Sequence, residues 1–497
     1  MTVFSSTRGT ETGVTAAHAI LKGLASDGGL FVPSQLPRFT KTEIDELQGM
    51  TYQQRAGRIL ASLLPGYASR EISTWLDKAY AGFDDACVAP VVSVAQKMAI
   101  LELWHGPTAA FKDMALQVLP YLLTAAIQKT GSTKEIVILA ATSGDTGKAA
   151  LEGFKDVPGT RIMVFFPEEG VSPMQRWQMI TQQGGNVSVV SVSGNFDDAQ
   201  SGVKRLFSDH ALAKRLAAGG FAFSSANSIN WGRLAPQVAY YFSAYADLVE
   251  KGEIKSGEII NITVPTGNFG NILAGYYARK MGLPIGKLIC ASNQNNVLTE
   301  FITTGVYDRK RPFFQTLSPS MDILLSSNLE RLLYHLTDGN AQKVAGWMTS
   351  LAQTGRYEVD KITLAKLHAG FAAGYTDDAE TKQVIGDTWR EKSYLLDPHT
   401  AVAWNVARNY QKASGDERYC LIVSTASPYK FCRAVLEAVQ GKPVDETNEF
   451  ALIRQLENET GTVAPISLSK LENEEVRHNK LVEKEALEQA VCEWLDV

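Results

Sequence analysis

From Met98 onward, short continuous apolar runs alternate with stretches of helical period, and no other feature constrains the fold as much. Met98 to Leu103, Glu135 to Ala141, Arg161 to Phe166 and Val187 to Val192 each read as a buried strand, and helical stretches separate them. Alternation of this kind predicts a mainly parallel sheet covered by helices on both faces. A second set begins at Ile259 to Val264 and continues through Lys287 to Ala291 and Cys420 to Thr425. The expected fold class is therefore α/β, with two doubly wound, mainly parallel sheets and a cleft between them.

Domain limits follow from the same pattern. Residues 1–85 form an amino-terminal segment of turns and helices, including a capping box at Thr40 and Glu43. A first α/β domain is expected over 86–235 and a second over 236–497, interrupted at about 296–395 by a charged, mostly helical insertion. The stretch Leu471 to Trp494 has apolar residues at helical spacing and is expected to be a packed surface helix.

Three strand-to-helix turns carry the chemistry. In HGPTAAFKDMALQ, residues 105–117, a lysine, Lys112, stands between Phe111 and Asp113. In ATSGDTGKAA, residues 140–149, and VPTGNFGNILAG, residues 264–275, a strand runs into a turn rich in Gly, Thr and Asn and then into a helix. The first N–H groups of a helix lack intrahelical partners and carry the positive end of its dipole, so such turns suit anions. Glycine lets the main chain approach a phosphate closely. A nucleotide-triphosphate loop is excluded because Thr142 and Ala149 stand where it needs Gly and Ser or Thr. The GxxG spacing of GNFGN also departs from the dinucleotide fingerprint. A lysine facing two anion cradles points to some other phosphate ligand. A lysine that attacks a carbonyl must be deprotonated, and the apolar flank Ala109, Ala110 and Phe111 is consistent with the burial that favours this. Taken alone, Lys112 also reads as a surface lysine paired with Asp113.

At this point the chain resembles the fold-type II enzymes of pyridoxal 5'-phosphate (PLP), the tryptophan synthase β-like architecture, and within them the longer subclass of threonine synthases. The likeness runs through SSTRG (5–9), DGGLFVP (27–33), HGPTAAFKD, ATSGDTGKAA, SSANSINWGRLAPQ (224–237), PTGNFGN, SPSMDI (318–323) and DPHTAVAW (397–404). The resemblance implies that Lys112 is the catalytic base and holds PLP as a Schiff base. It further implies that Gly267, Asn268, Phe269, Gly270 and Asn271 hold the cofactor's phosphate, and that Thr425 meets the pyridine nitrogen. A neutral partner there moderates the cofactor's electron demand and favours elimination over transamination. Asp145 stands where the commonest superfamily loop has Asn; a carboxylate donates a hydrogen bond only when protonated, so its titration is expected to couple to that of the lysine adduct.

The implied substrate is O-phospho-L-homoserine, converted with water to L-threonine and inorganic phosphate in the last step of threonine biosynthesis. Its carboxylate would lie on the amides and hydroxyls of the turn from Ser143 to Thr146, with Ser143, Gly144 and Thr146 as substrate contacts and Asp145 as a cofactor contact. Asn227, Ser228, Asn230 and Arg233 would grip its phosphate, with Lys148 as a further candidate. Outside the resemblance, Arg233 reads as an ordinary salt-bridge partner and Thr425 as the end of a strand. A threonine dehydratase, a tryptophan synthase β-like enzyme and an inactive homologue that binds phosphorylated ligands stay open as alternatives.

The 497 residues, 45 % hydrophobic and 20 % charged, are enough for large cores in two or three domains. A formal charge of −5 gives no reason to expect nucleic-acid or acidic-membrane partners. No membrane span or secretory signal is read, so a cytoplasmic enzyme, monomer or homodimer, is expected. Cys87, Cys290, Cys420, Cys432 and Cys492 are scattered and read as reduced thiols. No HExxH or Cys/His cluster suggests a metal site, and His105 is expected to be structural.

Overall fold

The computed structural model describes residues 2–142, 144–168 and 171–497. Two sheets dominate it. The larger has six strands in the spatial order Phe371–Tyr375, Ile285–Ser292, Ile260–Pro265, Cys420–Ser424, Met98–Glu102 and Val91–Ala95. All neighbours in it run parallel except the last pair. The smaller sheet is wholly parallel, in the order Lys480–Val482, Val187–Val192, Thr160–Pro167, Glu135–Ala141 and Phe221–Ser224. Central strands such as Cys420–Ser424 and Ile260–Pro265 are buried along their whole length, which is why they read as unbroken apolar runs rather than alternating ones.

Three placements differ from the expectation. Met98–Glu102, expected in the first domain, pairs with Cys420–Ser424 in the larger sheet, with Ile100 opposite Ile422. The carboxy-terminal stretch is not one helix: Lys480–Val482 adds a strand beside Val190–Val192, and the helix proper is Leu487–Leu495. That helix buries Leu487, Val491 and Leu495 against Val203, Leu206 and Leu216 of the smaller unit, so the tail returns to the first set of strands. The region about 296–395 is mostly helical, as expected, but also supplies the edge strand Phe371–Tyr375 and an antiparallel pair, Val306–Asp308 with Arg356–Glu358. Each difference involves a partner far along the chain, which a local period does not specify.

The helix Trp231–Glu250 is the central beam. It carries Trp231, Tyr240, Tyr241 and Tyr245, all essentially inaccessible, and packs against Tyr52–Leu63 and Gly270–Lys280. The Thr40/Glu43 capping box forms as expected. No helix among the described residues is long and apolar enough to cross a membrane.

Candidate active site

The lysine turn is built from a knot of short bonds. Asp113 is buried and accepts from Thr108 N at 2.8 Å and Thr108 Oγ1 at 2.8 Å. Burial lifts its carboxyl to about 6 although the Thr108 bonds oppose the shift. Asp113 is thus engaged inside the turn, which disposes of the surface pair Lys112–Asp113. Gly106 is required because a Cβ there would lie 2.5 Å from the Asp113 side chain.

A second segment zips along this turn. Phe111 N donates to Thr425 O at 2.8 Å, Ser427 N donates to Ala109 O at 3.1 Å, and Ala110 and Ala426 form an antiparallel bridge. Lys112 and Thr425, 313 positions apart by the difference of their numbers, are thereby held side by side. Lys112 Nζ lies 5.8 Å from the centre of the Phe111 ring. Burial lowers its pKa to about 8; Asp145 opposes the shift, and Arg233 and Lys430 assist it. About a tenth of the side chain would then be the free amine at pH 7, against roughly one part in a few thousand for an exposed lysine.

The second turn is knitted by Thr142. Its hydroxyl accepts from Gly144 N at 3.0 Å and Gly147 N at 2.9 Å. Gly144 has φ 146°, and a Cβ there would meet the Gln175 side chain at 2.4 Å. Ser143 lies outside the described residues. Asp145 opens the helix Asp145–Phe154, and Thr146 follows half-buried in its first turn. Asp145 Oδ1 accepts from Gln175 Nε2 at 2.7 Å and Lys430 Nζ at 2.5 Å, and Oδ2 accepts from Ser320 Oγ at 3.2 Å. Burial alone would raise its pKa, yet the Lys430 and Lys112 charges hold it well below the usual carboxylate range. Asp145 is thus held as an anion, and its charge and that of Lys112 act on each other.

The third turn ends the strand Ile260–Pro265. Phe269 takes a left-handed conformation, φ 60°, at a cost of about 1 kcal/mol, and its ring packs 5.9 Å from Phe371. The insertion grips the turn by its carbonyls. Asn268 O accepts from Asn328 N at 3.2 Å and Nδ2 at 3.1 Å, and Gly267 O accepts from Ser326 Oγ at 2.7 Å. Asn271 Oδ1 accepts from the hydroxyls of Tyr240 and Tyr241 at 2.6 and 2.5 Å, and its Nδ2 is buried without a partner among the described residues. An orphaned donor beside the N-terminus of Gly270–Lys280 is what an anion site leaves in the absence of its anion. Gly267 has no room for a side chain, since a Cβ would lie 2.8 Å from Ser320 O. Gly267→Ala is expected to weaken binding of a phosphate-bearing ligand at this turn by about 1–3 kcal/mol, read as a higher dissociation constant in a ligand titration; unchanged affinity would show that the turn is no anion cradle.

Arg233 is 2 % exposed. Its Nη1 donates to Ala226 O at 2.8 Å, its Nε has no partner among the described residues, and burial pulls its pKa down to about 10. Among the described residues no carboxylate pairs with it and it is buried, which argues against the surface salt-bridge reading. The other candidates in this segment divide. Asn230 caps the helix Trp231–Glu250: its Oδ1 accepts from Gly232 N, and its Nδ2 donates to Ile20 O and Ser225 O, which leaves nothing for a ligand. Ser228 Oγ accepts from Asn328 Nδ2 at 3.2 Å, and Asn227 is half-buried at the entry to the cap. Lys148 is tied to Glu152 Oε2 at 3.1 Å and Gln182 Oε1 at 2.5 Å, so its charge is already compensated.

Ser320, in SPSMDI, closes the site. Its hydroxyl donates to Asp145 and its carbonyl abuts Gly267, while its N–H donates to His399 Nε2 at 3.2 Å. His399 Nδ1 lies 2.8 Å from Asp397 Oδ1, which fixes the ring. Sequence reasoning missed Lys430, Gln175 and Asn328 as site residues. Only Lys430 left a trace, as a lysine bracketed by Tyr429 and Phe431 shortly after a buried strand.

His105 is structural. Its Nδ1 is 2.7 Å from Asp84 Oδ1 and its Nε2 is 2.8 Å from Glu102 Oε2, and Trp104 stacks on it at 4.2 Å. Burial would lower its pKa, but the two carboxylates raise it to about 9. A folded-state pKa above the ordinary 6.5 stabilises the fold fully below about pH 6.5, and the contribution is lost as pH rises through about 9. His105→Gln is expected to cost about 1–2 kcal/mol at pH 6, after allowance for solvent screening, and nearly none of that at pH 10. Urea unfolding at the two pH values measures the difference; equal losses at both would contradict the charged pairing.

Comparison with known proteins agrees with this geometry. The family model described as threonine synthase N terminus matches residues 3–80, that of pyridoxal-phosphate dependent enzymes matches 99–425, and that described as threonine synthase, C-terminal, matches 400–491. The human protein named threonine synthase-like 1 is 42 % identical over 449 residues, covering 88 % of this chain and 59 % of that one. The chain thus spans about three fifths of the length of that relative. Threonine synthase of Pseudomonas aeruginosa is 38 % identical over 470 residues, covering 94 % of this chain and 97 % of the other. Among solved structures, PLP-bound threonine synthase from Brucella melitensis superposes with a TM-score of 0.88 at 35 % identity, over 100 % of this chain and 99 % of that one.

Proposed function

Because the chain belongs to the threonine synthase family of PLP-dependent enzymes, we propose that it converts O-phospho-L-homoserine and water to L-threonine and inorganic phosphate, the last step of threonine biosynthesis. Its cofactor is PLP. The residues present fit that group: Lys112 for the aldehyde carbon, the 267–271 turn with the orphaned Asn271 Nδ2 for the phosphate, and Thr425 for the ring nitrogen. When bound, the cofactor supplies an electron sink that acidifies the hydrogens on Cα and then Cβ of the substrate.

Lys112 does the proton work. With its pKa near 8 it can take a proton from carbon as the amine and return it as the ammonium. The segment from Gly144 to Thr146, at a helix N-terminus, would orient the substrate carboxylate. Arg233 would hold the γ-phosphate, which departs with the electron pair of the Cγ–O bond. Water then delivers hydroxyl to Cβ, and protons return to Cγ and Cα.

The observation that carries the substrate assignment is the buried, uncompensated Arg233 whose charge reaches Lys112. A threonine dehydratase or a tryptophan synthase β-like enzyme has no need of a second phosphate grip, and an inactive phospho-ligand binder has no need of the lowered lysine. The test is phosphate release and threonine formation from O-phospho-L-homoserine, set against ammonia release from L-serine and L-threonine. Preference for the phosphorylated substrate by two or more orders of magnitude is expected; turnover of serine or threonine alone would overturn the proposal.

A further inference from the structure

A lysine that the mechanism does not use lies inside the same site. Lys430 stands in the 3₁₀ turn Pro428–Phe431, five residues beyond Thr425, and is 1 % exposed. Its Nζ donates to Asp145 Oδ1 at 2.5 Å and to Thr108 O at 3.0 Å. Thr108 also clasps Asp113, and Gln178 Nε2 donates to the same Thr108 carbonyl at 3.1 Å, so Lys430 is anchored to the lysine turn and to the Asp145 turn at once.

The charges facing Lys112 are therefore few and identifiable. Asp145 comes from the second turn, Arg233 from the central helix and Lys430 from the segment after Cys420–Ser424, with Asp113 behind Lys430. Among the described residues, Asp145 is the carboxylate that faces Lys112, and Lys430 and Arg233 are the cations that do so. Asp145 is engaged at 2.5 Å by Lys430, and by Gln175 and Ser320, whereas no hydrogen bond joins it to Lys112 among the described residues. A proton added to Lys112 would meet the charges of Arg233 and Lys430, with the carboxylate that faces it already bound to Lys430. Without Lys430, the buried Asp145 would need another cation, and Lys112 is the one within reach.

Resting on the reading of Lys112 as the cofactor lysine, we propose that Lys430 is a positioning residue whose ammonium occupies Asp145 and so withholds that carboxylate from Lys112. Lys430 acts through Asp145 and needs no contact with substrate.

The test is competitive trace acetylation of the full chain freed of cofactor, at pH 6 to 10, with modification of Lys112 followed by mass spectrometry. The unaltered protein should give a midpoint near 8. Lys430→Met should raise the midpoint by a unit or more, so that Lys112 labels about tenfold more slowly at pH 7. Lys430→Arg, which keeps the charge, should stay near the unaltered protein, and Asp145→Asn should move the midpoint the opposite way. A structural role alone would lower thermal stability without opposite shifts in the two variants. An unmoved midpoint in Lys430→Met, or equal shifts in Lys430→Met and Lys430→Arg, would overturn the inference; should Lys430→Met fail to fold, Asp145→Asn decides it, by an unmoved or raised midpoint. Borohydride mapping separates the premise from the inference: an adduct on another lysine with shifted midpoints overturns the cofactor reading alone, and an adduct on Lys112 with unshifted midpoints overturns the role of Lys430 alone.

Discussion

Lys112→Ala is expected to lower kcat for phosphate release by at least about 10³-fold, because the variant loses both the covalent attachment of the cofactor and the base that moves protons between carbons. The more informative variant is Lys112→Arg. A guanidinium stays charged at any accessible pH, so it would retain the cation near Asp145 while being unable to supply a free amine. If Lys112 served only as a charge, arginine would restore much of the activity; the expected result is a loss as deep as that of alanine. Both variants should still fold, since the Lys112 side chain makes no hydrogen bond among the described residues, its backbone carbonyl keeps its bonds from Ala115 N and Leu116 N in either variant, and the knot around Asp113 is independent of it.

The second large effect has two opposed parts. Arg233 is a buried cation without a carboxylate partner among the described residues, and the fall in its pKa from 12.5 to about 10 corresponds to about 3 kcal/mol of destabilisation of the charged form. Arg233→Met removes that burden together with one bond to Ala226 O, so the unliganded variant should be more stable than the parent by about 1–2 kcal/mol in urea unfolding. Its kcat/KM for the phosphorylated substrate should fall by about 10²-fold, from about 3 kcal/mol of lost charge pairing. A group that destabilises the empty protein and is kept for its ligand is a signature of function rather than structure. Loss of stability together with unchanged kcat/KM would show that Arg233 is a structural strut.

Much of this was legible before any coordinates. The strands Glu135–Ala141 and Val187–Val192 stand where unbroken apolar runs placed them, and the glycine turns at 144 and 267 open helices as expected. What local reading lacks is long-range pairing. Met98–Glu102 reads the same whether its neighbour is Glu135–Ala141 or Cys420–Ser424, since parallel strands take partners without a local turn to specify register. The same holds for Leu481 and Val482, whose short apolar pair was absorbed into a helical pattern although their backbone pairs with Ser191 and Val192.

At the site, residue type was visible and compensation was not. Arg233 and Lys148 look equally suited to a phosphate in the sequence, yet Glu152 one turn along the helix neutralises Lys148 while no carboxylate among the described residues neutralises Arg233. Asn230 is polar and well placed, and is wholly spent as a helix cap. The protonation of Asp145 could not be read without Lys430, which lies 285 positions away and reaches it only because Thr425–Ser427 zips along Ala109–Phe111.

The central claim is that one amine, Lys112, forms the covalent link to PLP, and borohydride reduction of the holoprotein followed by peptide mass mapping tests it most directly. The account predicts loss of the visible absorbance and a pyridoxyl mass on the peptide containing Lys112, with none on Lys148 or Lys430. A stable adduct on either of those lysines, or a protein that takes up the cofactor without any reducible bond, would contradict it.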